Sequence, residues 1–156
     1  MKINLLAFGT HLPAWVNEGY QEYSKRLSQD IRLNLVELEI PKRTKSSDIQ
    51  KLKLEESEKL LSKIPTGNRV VALDEHGDVW DTKTLASKLQ TWLQESQDIS
   101  LLVGGPDGLA KPCLEKANHL WSLSRLTFPH GLVRVIIAEQ IYRAWSVIKQ
   151  HPYHRT

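Results

Sequence analysis

Cysteine is almost missing from this chain of 156 residues, where Cys113 stands alone. A single thiol excludes an intramolecular disulfide and any zinc site built on several cysteines. Long apolar runs are missing as well: no stretch approaches the ~20 apolar residues that a membrane helix needs. The opening Met1-Lys2-Ile3-Asn4-Leu5-Leu6-Ala7-Phe8-Gly9 lacks the apolar core and small-residue cleavage site of a secretory signal. These absences give the expectation of a soluble, cytoplasmic, reduced protein. Charge of one sign is scarce: 21 Lys and Arg stand against 18 Asp and Glu, a net charge of +3, which favours an anionic partner only mildly. Two phosphate-binding fingerprints are absent. The first strand ends in Gly9-Thr10-His11 rather than G-x-G-x-x-G, and in residues 104–111 the lysine comes too late for a phosphate loop, with Pro112 behind it.

What is present alternates strand and helix. Residues 2–8 predict a buried strand closed by Gly9, and residues 14–27 a helix that starts at Pro13 and puts Trp15, Gly19, Tyr23 and Leu27 on one face. Residues 32–40 alternate Leu33, Leu35, Leu38 and Ile40 with Asn34, Glu37 and Glu39, a half-exposed strand with a slip near Val36. Ser47 with Gln50 resembles a capping box for a helix over 48–63. A strand over 69–74 runs into a turn at 74–78. Asp81 or Thr82 then caps a helix to about residue 95, with Leu85, Leu89, Trp92 and Leu93 as its stripe. Residues 99–103, 112–118, 121–128 and 132–150 predict a strand, a short helix, a fifth strand and a final helix, followed by a tail. The pattern is α/β with a mostly parallel sheet flanked by helices, in one domain spanning 1–156.

Ligands of such sheets sit beyond the carboxyl ends of the strands. Those ends carry Leu73-Asp74-Glu75, Gly104-Gly105-Pro106-Asp107-Gly108 and Leu126-Thr127-Phe128-Pro129, which serve either as tight connections or as close backbone for a ligand. The final helix is apolar on two sides, through Val133, Ile136, Ile137, Ile141, Ala144 and Ile148 and again through Leu132, Val135, Tyr142 and Trp145. It is either a central core helix or one shared between the sheet and a second subunit. Arg134, Glu139 and Arg143 lie among these positions and are costly to bury without partners; Glu139 and Arg143 either pair along the helix or turn toward a site. The tail His151-Pro152-Tyr153-His154-Arg155 has no evident core role, and its two histidines lack a third and fourth metal ligand.

The glycine loop with Leu101-Leu102-Val103, then Leu123-Ser124-Arg125-Leu126-Thr127, His130-Gly131-Leu132-Val133-Arg134, Tyr142-Arg143-Ala144-Trp145-Ser146 and the HPYHR end together resemble the RlmH family of large-subunit rRNA methyltransferases, within the SPOUT class. The resemblance runs from Gly9-Thr10 to the last residues, and Asp107 stands where the family carries Asp or Glu. It implies a sheet whose C-terminal part forms a deep trefoil knot, a homodimer with the site at its interface, and methyl transfer from S-adenosylmethionine to N3 of a pseudouridine of 23S rRNA on the assembled ribosome. By the same resemblance the methyl donor is gripped around Leu73, Gly104, Gly105, Leu123, Ser124, Arg125, Leu126, Thr127 and Phe128. His154, or alternatively His130, would take the N3 proton; Arg143 or Arg155 would stabilise the developing negative charge; Tyr153 would stack on the base. No metal and no membrane enter. Lys42, Arg43 and Lys45 are either solvated or in contact with rRNA phosphate. A related enzyme acting on another RNA and a noncatalytic ribosome-binding protein are the rival readings.

Overall fold

A computed structural model of the chain describes residues 1–27, 29–44, 46 and 48–155. Its strands are β1 (Lys2–Phe8), β2 (Arg32–Leu38), β3 (Arg69–Val79), β4 (Ile99–Val103) and β5 (His119–Ser122), in the spatial order β2-β1-β4-β3-β5 with every pairing parallel. The helices are α1 (Ala14–Ser24), α2 (Ile49–Ser62), α3 (Thr82–Gln94), α4 (Lys111–Lys116) and α5 (His130–Ile148), and a short 3-10 turn, Pro152–Arg155, ends the chain.

A sheet whose central strands are buried on both faces needs apolar residues at consecutive positions, and the two-residue period then deals them to opposite sides. Along β1, Ile3, Leu5 and Ala7 pack with Tyr20 of α1, Leu89 of α3 and Ile137 of α5, while Leu6 and Phe8 pack with Leu60 of α2 and Cys113 of α4. Three layers result, with α1, α3 and α5 on one face and α2 and α4 on the other. Among the described residues, no helix is long and apolar enough to cross a membrane.

Several sequence expectations are corrected. Trp15 is 55% exposed, because the buried line of α1 runs through Val16 and Tyr20, one position over, with Gly19 tight against Val135 of α5. Residues 74–78 are not a turn: β3 continues to Val79, and a register shift between Leu73 and Asp78 sets both opposite Trp121. A side chain at Gly77 would lie 2.6 Å from the Leu120 carbonyl carbon, so only glycine permits that pairing. β5 starts at His119 and ends at Ser122, leaving 123–128 as a loop. α2 is capped by Asp48, whose carboxylate accepts from the Gln50 and Lys51 amides; the expected cap Ser47, with Lys45 and Thr156, lies outside the described residues. β2 stops at Leu38 rather than residue 40.

Candidate active site

The carboxyl ends of β4, β3 and β5 lie side by side, and beyond them opens a cleft of about 1000 Å³. Leu73 ends the first paired stretch of β3, Val103 ends β4, and Trp121 with Ser122 ends β5; all four line the cleft. Gly104, Gly105, Pro106, Asp107 and Gly108 form one wall. Leu123, Ser124, Arg125, Leu126, Thr127 and Phe128 form another, and His130 and Val133 at the start of α5 line the cleft as well. Every residue that the resemblance assigned to the methyl donor is therefore on this one surface.

Local sequence explains both walls. Gly105 to Gly108 make a β-turn, with Pro106 at its second position and the Gly108 amide donating to the Gly105 carbonyl at 3.0 Å. Gly108 sits at φ +78°, in the left-handed region. A Cβ on Gly104 would fall 2.5 Å from the Gly108 carbonyl carbon and 2.8 Å from the Leu109 nitrogen, so the loop folds onto its own backbone there. Across the cleft, the Ser122 hydroxyl donates to the Ser124 carbonyl and the Ser124 hydroxyl accepts from the Leu126 amide. This bracing leaves Leu126 73% exposed. Leu123 also packs against the core, while Leu126 and Phe128 line the cleft without joining a strand.

Acidic and basic side chains share the lining: Asp74, Glu75 and Asp107 with Lys53, His76 and Arg125. Trp121 contributes a buried indole N–H that has no partner among the described residues. His130 Nε2 is bonded to the Phe8 carbonyl. A carbonyl only accepts, so Nε2 donates in this bond and Nδ1 is the ring nitrogen left for another partner. Fully buried Arg134 accompanies it, donating to the Phe8 and Gly9 carbonyls at 2.8 and 2.7 Å and to Glu37 at 2.9 Å. The sequence flagged Arg134 as costly to bury; these three acceptors explain how it is tolerated.

The tail residues lie elsewhere on the chain. α5 ends in a Schellman motif: the His151 amide donates to the Ser146 carbonyl, the Gln150 amide to the Val147 carbonyl, and Gln150 takes φ +55°. The chain thereby doubles back on the helix. The Tyr153 hydroxyl donates to Glu139 at 2.9 Å, and Arg143 reaches the same carboxylate through Nε at 2.8 Å and Nη2 at 2.6 Å. The Tyr153 ring packs 4.6 Å from that of Tyr142 and under the Arg143 guanidinium. Burial first, then the Glu139 carboxylate, push the Tyr153 hydroxyl far above its usual pKa, so it remains a donor. His154 is half-buried with Nδ1 lacking a partner among the described residues, and Arg155 is exposed. Arg143 follows His130 by 13 positions on α5, about 20 Å of helix. Within one chain, Arg143, Tyr153, His154 and Arg155 form a cluster separate from the cleft.

No group of three or more potential metal ligands exists among the described residues. Sequence reasoning named Glu75 at a strand end but passed over Lys53, His76 and Trp121, which line the cleft from α2, β3 and β5.

A family model described as "Predicted SPOUT methyltransferase" matches residues 1–154. The chain is 52% identical over 155 residues to the ribosomal RNA large subunit methyltransferase H of Coxiella burnetii, covering 99% of this chain and 100% of that relative. It is 52% and 49% identical to proteins of the same name from Nitrosococcus oceani and Hahella chejuensis, each over 99% of both chains. Among solved structures, a protein described as a probable methylase family protein from Haemophilus influenzae Rd KW20 superposes with a TM-score of 0.54, over 97% of this chain and 69% of that one, at 14% identity. At that identity the likeness speaks for the fold alone.

Proposed function

The chain belongs to the SPOUT methyltransferase family, and we propose that it methylates N3 of a pseudouridine in large-subunit ribosomal RNA, using S-adenosylmethionine and working as a homodimer on the assembled ribosome. The observation that carries this reading is the cleft beyond β3, β4 and β5, walled by bare glycine backbone and by the apolar loop 123–128. The proposed fold includes the deep trefoil knot of the family, around that loop. The rRNA substrate rests on the names of relatives about half identical along their whole length.

The cleft suits the methyl donor chemically. Leu73, Leu123 and Phe128 offer apolar surface for an adenine, with backbone N–H and C=O groups of both walls at its edge, as in most small-molecule pockets. Gly104 and Gly105 let the loop fold onto its own backbone and against Glu56, which sets the shape of that wall. When bound, S-adenosylmethionine supplies an electrophilic methyl; the residues of this chain have to orient the base and take away its N3 proton.

His130 can accept that proton at Nδ1 from the wall of its own cleft. His154 can accept it only if the tail of a second subunit reaches this cleft. The separation of tail and cleft along α5 favours that composite site, with Arg143 or Arg155 stabilising the anionic base and Tyr153 stacking on it. The test is mass spectrometry of rRNA from cells lacking the gene, paired with calorimetry of the purified protein and S-adenosylmethionine. Loss of one methyl from one pseudouridine, restored by the gene, is the expected result. Unchanged rRNA overturns the reading, and a methyl lost from a different RNA reassigns the substrate.

A further inference from the structure

Beside the glycine loop is a polar assembly of which only Asp107 lines the cleft. Glu56, in the middle of α2, is 2% exposed on a stripe where Leu52 and Leu60 lead one to expect an apolar residue. Its Oε1 accepts from Arg43 Nη2 at 2.9 Å. Its Oε2 is buried, has no hydrogen-bond partner among the described residues, and lies 2.7 Å from where a Gly105 Cβ would stand. Arg43 extends its other amino group to the Asp107 carboxylate, at the tip of the glycine loop. One residue further along α2, buried Ser57 accepts from the Ala110 amide at 3.1 Å, at the loop's far end.

We infer that Arg43 and Glu56 are positioning residues that hold Gly105 and Asp107 in the shape the methyl donor requires. The inference rests on the function proposed above. Neither residue lines the cleft; both act through residues that do. A buried charge is costly unless it is paired. Core packing alone would place leucine at 56, so the carboxylate is retained for what it binds. Its two ends meet the two halves of the turn: Oε2 fills the space left by the missing Gly105 side chain, and Oε1 fixes the guanidinium that grips Asp107. Arg43 is thereby taken up by two carboxylates, which argues against its serving as an rRNA phosphate contact.

The test uses the full-length protein with Arg43→Ala, Arg43→Lys and Glu56→Gln, and reads two quantities. Amide exchange at Gly105, Asp107 and Gly108 without ligand reports the loop itself. The dissociation constant and KM for S-adenosylmethionine, against kcat at saturation, report its consequence. Losing a charge-assisted bond of this kind is worth about tenfold. Arg43→Ala and Glu56→Gln are expected to speed exchange and to raise the dissociation constant by about that factor, with kcat little changed and with Arg43→Lys recovering most of the loss. Unchanged exchange in both Arg43→Ala and Glu56→Gln overturns the inference, as does faster exchange with wild-type affinity. Faster exchange in a protein whose wild type binds no S-adenosylmethionine supports the clamp and overturns the proposed function instead. Thermal melts of each variant separate loop loosening from global unfolding, because exchange through global unfolding would rise in β1 and β4 as well.

Discussion

The sharpest quantitative test of the cleft is Gly104→Ala. Gly104 has no positive φ, so the perturbation is steric alone: the new methyl would enter space held by the Gly108 carbonyl group and the Leu109 nitrogen, at 2.5 to 2.8 Å. Those atoms are backbone and cannot rotate aside, so the turn has to open. Overpacking of this kind costs about 1–3 kcal/mol, which for a chain of this size lowers the melting temperature by roughly 3–9 °C. The displaced turn carries Gly105 and Asp107, so S-adenosylmethionine binding should fall more than stability does. Two other glycines calibrate the result. Gly67 and Gly108 have φ of +86° and +78° with nothing within 4 Å of a Cβ, so alanine there costs only the left-handed strain, about 1–2 kcal/mol. Gly67→Ala lies outside the cleft and should leave affinity unchanged. Calorimetry and thermal melts of the three variants check the order. If Gly104→Ala binds like wild type and melts like it, the close approach of the loop to itself is wrong.

Arg134→Met removes donors from the Phe8 and Gly9 carbonyls and from Glu37; it should cost about 3 kcal/mol in urea unfolding, and a loss under about 1 kcal/mol would refute the buried network. Burial, helped by the charges of Lys88 and Arg69, holds His119 below the usual histidine pKa. Between that value and ~6.5 the unfolded chain binds more protons, so stability falls as pH drops through this window; the difference in urea midpoint between pH 7.5 and 5.5 should shrink in His119→Gln. Cys113 is fully buried and its thiol pKa is raised by that burial, so a disulfide reagent should label it only at the rate of unfolding, and fast labelling of native protein would contradict the packing of α4.

Legibility in the sequence tracked how local the cause was. β1 and β4 were readable because burial on both faces writes itself as consecutive apolar residues. Asp81 was readable as one of two candidate caps of α3, beside Thr82, because its acceptor serves an amide three residues on. β5 was misread at its end because Trp121 with Leu123, and again Leu126 with Phe128, keep a two-residue spacing, although the two pairs are out of phase and the residues from 123 on line the cleft. The second half of β3 was missed because Asp74, Glu75, His76, Gly77 and Asp78 spell a turn, while the pairing that keeps them extended comes from Trp121, more than forty residues later. Glu56 offered a faint signal, a charge on an apolar stripe, but its partners at 43 and 105 are set by the fold. The tail looked liable to fray; what holds it is a reversal at Gln150, where no glycine advertises a left-handed residue, and a carboxylate fourteen positions back.

The geometry of α5 makes the composite site testable by subunit complementation. The helix carries His130 and Val133 at the cleft and Arg143 and the tail near its other end, so no chain offers its own tail to its own cleft without unwinding the Schellman turn. Pair a chain carrying Gly104→Ala with one carrying His154→Ala. If each site joins the cleft of one subunit to the tail of the other, a mixed dimer holds one site with both defects and one with none. Random mixing makes half of the dimers mixed, so a quarter of the sites are intact and activity should rise by up to about a quarter of wild type above the residual activity of the two variants. If tail and cleft served the same chain, every site in the mixture would carry one defect and nothing would recover. Recovery that varies with the mixing ratio of the two chains, peaking at equal amounts, would also separate dimer exchange from residual activity of either variant.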